Sequence, residues 1–64
     1  MNFLIDFIDT ATSNDIDSYL EANGLTKVKT YNNYKNVFLV QGEITPPKTD
    51  LVEYIVHDDP NGIQ

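Results

Sequence analysis

A small α+β domain is the fold class this sequence predicts, ordered strand, helix, strand, strand and then a second helix. Three observations carry that expectation. Apolar and polar residues alternate over Asn2–Asp9, helical spacing begins behind a run of capping residues at Thr12, and a Lys, Tyr and Val stretch turns through asparagines into the most apolar run of the chain, Val37–Gln41. At 64 residues the chain makes one domain, and it has no cysteine to staple its core.

In the first element Phe3, Ile5 and Phe7 share one face of a strand, while Asn2, Leu4, Asp6 and Ile8 share the other. The first face is fully apolar. Leu4 and Ile8 on the second imply partial cover there as well, so the strand belongs in the middle of its sheet. Thr12-Ser13-Asn14-Asp15 then offers hydroxyl caps with a carboxylate in the first turn, and a helix starts here. Ile16, Tyr19, Leu20 and Asn23 fall on its inner side, Asp15, Asp17, Ser18 and Glu21 on the solvent side. Asn23-Gly24 provides a left-handed stop, with Leu25 placed to pack back on the last turn.

Beyond it, Val28 and Thr30 alternate with Lys27, Lys29 and Tyr31 as a second strand. Asn32-Asn33-Tyr34-Lys35-Asn36 supplies the turn, and residues 26–41 read as a hairpin. Glu43-Ile44 extend the third strand until Pro46-Pro47, which have no N–H for a ladder, end it. Thr49–Asp59 fits two readings. As a helix it is capped by Thr49 and turns Leu51, Tyr54 and Ile55 to one side; as a strand, residues 51–57 alternate with a high β-branched content. The helix is the first expectation, and βαβββ is the element order if 51–57 is a strand. Asp58-Asp59-Pro60-Asn61-Gly62 terminates the segment, leaving Ile63-Gln64 as a vestigial last strand.

Composition narrows the function. Ten carboxylates against four lysines, with no arginine, give a net charge of -6, which argues against a nucleic-acid backbone or an anionic membrane surface as direct partner. Asp6 and Asp9 interrupt the first apolar run and no lysine precedes it, so no signal peptide is expected and the location expected is cytoplasmic or otherwise intracellular. The charge is also partitioned. Residues 1–24 hold Asp6, Asp9, Asp15, Asp17 and Glu21 and no lysine, residues 25–48 hold all four lysines and Glu43, and residues 49–64 hold only acids. If the first helix and the 49–59 segment pack on one side of the sheet, that side is acidic and the hairpin basic.

Site chemistry is sparse. The one histidine, His57, beside Asp58 and Asp59 lacks the convergent partners a metal or general-base site needs. Asp15 and Asp17 lack the glycine turn and distal glutamate of a calcium loop. Gly24, Gly42 and Gly62 stand singly, so no phosphate-cradling loop is present. No enzyme activity, metal or cofactor is expected. Tyr31, Tyr34 and Phe38 among Lys27, Lys29 and Lys35 form cross-strand pairs on a solvated hairpin rather than a stacking platform for bases.

The opening Asn2–Asp9 strand, the Asn36–Gly42 strand, the polar entry Thr45–Asp50 and then Leu51–Val56 followed by Asp59-Pro60 together resemble the ferredoxin-like prodomain and inhibitor modules of subtilisin-type proteases. That resemblance implies a ferredoxin-like βαββα(β) fold with a truncated or vestigial last strand. It also implies protease inhibition or prodomain-like chaperoning as one function, although the extended tail that inhibitory members present has no counterpart in the four residues after Pro60. The leading expectation is a non-catalytic interaction or structural accessory protein, a small component of a larger assembly such as a virus particle, whose partner is a larger subunit or a second copy. An acidic decoy of a nucleic-acid-binding protein is the third. The interaction surface expected is Asp15, Asp17 and Glu21 on the helix with Lys27, Lys29, Tyr31, Tyr34 and Lys35 on the hairpin, and the sheet border beside Ile63-Gln64 is expected to be an uncovered edge.

Overall fold

The computed structural model describes residues 1–31 and 33–58. It consists of β1 (Asn2–Phe7), α1 (Ser13–Ala22), β2 (Thr26–Thr30), β3 (Val37–Gln41) and β4 (Val52–Asp58). The four strands form one sheet in the order β2-β3-β1-β4, and every neighbouring pair is antiparallel. β1 is central, as its two apolar faces imply. Because β3 lies antiparallel between β1 and β2, those two run parallel, and α1 carries the chain across from one to the other.

The helix obeys its local signals. Thr12 caps it through a reciprocal box, its Oγ1 accepting from the Asp15 N–H at 3.1 Å while the Asp15 carboxylate accepts from the Thr12 N–H at 3.1 Å. At the other end Gly24 takes φ +65°, and the Leu25 N–H bonds to the Leu20 carbonyl at 2.8 Å. This is the six-to-one closure of a Schellman stop, and it leaves Leu25 buried where it packs back as the sequence implies. Ile16, Tyr19 and Leu20 are the buried side of α1.

Residues directly opposite each other in an antiparallel ladder share a face, so the registers sort the sheet into two sides. Phe3, Ile5 and Phe7 lie with Val40 and Phe38 of β3 and with His57, Ile55 and Val52 of β4, on the side that α1 covers. Phe3, Ile5, Phe7 and Val40 are the most enclosed side chains, each stabilising the fold by about 2 kcal/mol through burial alone. The Phe7 ring meets Tyr19 edge-on at 5.4 Å, which ties helix to sheet.

The structure corrects four expectations. Residues 52–58 form a strand and not a helix, so the element order is βαβββ. The reason is tertiary: as a strand, Val52 and Ile55 join the core face beside Phe7 and Ile5, and the β-branched run suits the pleat. The position beside β1 is therefore filled by β4, and among the described residues the sheet edges are β2 and β4. The turn expected after Asp58 and the vestigial strand at Ile63-Gln64 lie outside the described residues.

β3 ends at Gln41, with Glu43 and Ile44 beyond it and Ile44 exposed. Gly42 carries the β1–β3 pairing one residue past the strand by exchanging both backbone hydrogen bonds with Met1, and a side chain there would run into the buried Leu25. In β2 a register shift between Lys27 and Lys29 breaks the expected alternation and leaves Val28 exposed. The connection from β3 to β4 holds no helix. It lies against α1 instead, with Pro46 buried and the Tyr19 hydroxyl donating to the Pro47 carbonyl at 2.5 Å.

Candidate functional site

Among the described residues no helix lies over the second side of the sheet. Its rows, read from the registers, are Lys29, Leu39, Leu4 and Val56, then Val37, Asp6 and Tyr54, then Thr26, Gln41 and Asn2. Leu4 and Leu39 are half-buried, whereas Tyr54 and Val56 are each 48% exposed. An antiparallel sheet tolerates one solvated face, but such a face normally reads polar. Here five of the ten positions named are apolar or aromatic.

Within it lies a hollow of about 320 Å³ lined by Leu4, Tyr31, Tyr34, Val37 and Tyr54. Tyr31 and Tyr34 come from the β2–β3 loop, Val37 and Leu4 form adjacent floor positions, and Tyr54 is the wall on β4. The loop is held by Asn36. This residue adopts φ +62°, a left-handed conformation that asparagine tolerates better than most side-chain-bearing residues. Its Nδ2 donates to the carbonyls of Ile8 at 2.9 Å and Ala11 at 3.3 Å, and its own carbonyl accepts from the Phe7 N–H. One side chain thus fastens the loop bearing two of the tyrosines to the end of β1.

Charge is distributed unevenly around the hollow. Lys29 reaches over the Tyr31 ring with Nζ 5.3 Å from its centroid. On the opposite side Asp6 stands in its row between Val37 and Tyr54. Burial pushes the Asp6 carboxyl above the ordinary carboxylate range, and the charges of Glu53 and then Asp9 push it the same way. Glu53 is the extra residue where the β1–β4 register shifts.

The residues singled out from the sequence are placed as follows. Tyr31 and Tyr34 line the hollow and Lys29 borders it, so these three come together. Lys27 lies on the helix side, its Nζ 4.7 Å from the Phe38 centroid, and Lys35 is an exposed loop residue. Asp15, Asp17 and Glu21 sit on α1 behind the sheet, with Asp15 engaged in the cap. His57 stacks on Phe3 at 5.0 Å between centroids. Among the described residues no group of three His, Cys, Asp or Glu side chains converges as metal ligands, and no helix is long and apolar enough to cross a membrane.

Sequence reasoning missed Leu4, Val37, Tyr54 and Asp6. The signal for two of them is present in the alternation of β1, where Leu4 and Asp6 fall opposite the core residues; Tyr54 lies in the segment for which the sequence favours a helix. The expected acidic side is also corrected. With 52–58 in the sheet, polarity runs across it, from Lys27 and Lys29 on the β2 edge to Glu53 on the β4 edge. No family model matches the chain, and no curated protein or solved structure resembles it closely enough to count as a match.

Proposed function

We propose that this chain is a non-catalytic interaction module that binds a larger protein through the open face of its sheet. The observation that carries the reading is the apolar, tyrosine-rich character of a sheet face that no element of the described chain covers. Tyrosine suits such a surface, since it brings large contact area, little conformational entropy and a hydroxyl that stays satisfied in water when free.

The test uses face variants in parallel with the native chain. Val56→Lys and Tyr54→Lys alter exposed positions, so circular dichroism and melting temperature stay close to those of the native chain. A partner captured from the native source by the native chain and lost with both variants supports the reading. A partner retained by both, or protected by hydrogen exchange only over α1, removes it.

A second reading is protease inhibition or prodomain-like chaperoning, supported by the parallel β1 and β2 with α1 between them, the crossover unit of the module the sequence resembles. A subtilisin activity assay separates the two readings. Slowed turnover that Tyr54→Lys abolishes favours the second, and unchanged turnover at micromolar chain leaves the first.

A further inference from the structure

We propose that the hollow seats one bulky apolar side chain of a partner segment whose adjacent lysine or arginine meets the carboxylates of Asp6 and Glu53. The inference rests on the reading of the open face as a binding surface and names the chemistry of what binds there. Its first ground is shape and lining. A hollow of about 320 Å³ walled by Leu4, Val37 and three tyrosines has room for a leucine-sized or aromatic group and meets it with a mainly apolar lining.

The second ground is charge complementarity at the rim. On the Tyr31 side a cation is already in place, because Lys29 covers that ring. On the Tyr54 side the charges are all negative among the described residues. Asp6 lies between Val37 and Tyr54, and Glu53 and Asp9 act on it as like charges without a cation to offset them. Such an arrangement costs the free protein stability and is relieved when a cation arrives, so an incoming lysine or arginine gains more there than at an isolated carboxylate.

The same observations disfavour a second copy as occupant. Two chains of net charge -6 repel, and the β4 edge along which two sheets would join carries Glu53 at a register shift, a feature that blunts strand-to-strand pairing. A basic segment meets neither obstacle.

Three capped peptides serve as probes: Arg-Arg-Leu-Arg-Arg, its counterpart with glycine for leucine, and Glu-Glu-Leu-Glu-Glu. Each is titrated into the isotopically labelled chain while the amides of Leu4, Val37 and Tyr54 are followed by NMR. The arginine–leucine peptide saturates those three amides and binds about tenfold more tightly than the glutamate peptide. Replacing its leucine by glycine weakens it, and Asp6→Asn or Glu53→Gln weakens it about threefold while the folded spectrum persists.

Equal binding of the arginine and glutamate peptides at the same amides overturns the inference and leaves the open face as a binding surface. Absence of shifts at these amides up to millimolar arginine–leucine peptide also overturns it, and joined to a captured partner whose footprint lies elsewhere it removes the interaction reading too. Shifts at Leu4, Val37 and Tyr54 that grow with protein concentration in the absence of peptide assign the face to a second copy and likewise overturn it.

Discussion

Two polar residues show how much a single side chain decides in so small a core. Asn36 combines a left-handed backbone with two side-chain hydrogen bonds across the loop closure. Glycine at that position keeps the backbone free of strain and loses only the bonds, whereas alanine loses both. Asn36→Gly is therefore expected to cost about 1 kcal/mol and Asn36→Ala about 2 kcal/mol in urea unfolding, in that order. The sequence marked Asn36 as a turn former, but its grip on Ile8 and Ala11 depends on partners more than twenty residues away and was not legible.

Asp6 makes the opposite point. Burial and the carboxylates of Glu53 and Asp9 raise its folded pKa, so its contribution to stability is present in acid and is lost as pH rises through the folded value. At neutral pH the ionised group is then a burden. Asp6→Asn is expected to raise stability slightly at pH 7, solvent screening keeping the gain small, and the gain shrinks to nothing once the native carboxyl is protonated in strong acid. A pH series of urea melts checks it; a variant less stable at pH 7 shows that an attractive contact of the carboxylate outweighs the repulsion. Greater stability together with weaker peptide binding is the combination expected of a residue kept for contact and not for folding.

At the scale of elements, local chemistry was enough where an element is delimited by its own residues. Thr12, Asp15 and Gly24 define α1 without reference to the rest of the chain, and the alternation of β1 gives both its type and its central place. The 52–58 segment lacks such markers, because Leu51, Val52, Tyr54 and Ile55 satisfy either period. What decides it is the vacancy beside β1, a property of the tertiary structure, and with Tyr54 misplaced the hollow could not be assembled from sequence.

The strand assignment has its own test. Odd residues of β1 bond toward β3, as Phe7 does to Asn36, and even ones toward β4, as Ile8 does to Leu51. The alternation of an antiparallel ladder then turns the N–H groups of Tyr54 and Val56 toward β1 and those of Ile55 and His57 outward. Hydrogen exchange is expected to be slow at Tyr54 and Val56 and fast at Ile55 and His57. Uniform protection across the four is the signature of a helix and contradicts the strand.

For the molecule as a whole, the balance of charge is the property most fully legible beforehand, and the fold changes its meaning. Ten carboxylates and four lysines are segregated along the chain, yet the sheet converts that order into a gradient from the β2 edge, with Lys27 and Lys29, to the β4 edge, with Glu53. Lys27 and Lys29 rest on the rings of Phe38 and Tyr31, so the lysine side chains of β2 serve the sheet more through their stems and ring contacts than by neutralising acids. Self-repulsion at net charge -6 is consequently the dominant long-range electrostatic contribution to folding. Screening acts on it directly, since the Debye length falls from about 30 Å at 0.01 M salt to about 3 Å at 1 M. The melting temperature at neutral pH is expected to rise as sodium chloride is added over that range, with most of the rise at the low end where the screening length crosses the size of the domain. The increment is smaller in Asp6→Asn, which lacks one of the repelling charges. A melting temperature that falls with salt shows that attractive pairs outweigh repulsion, and with that result the acidic edge loses its role as the attractor of a basic partner.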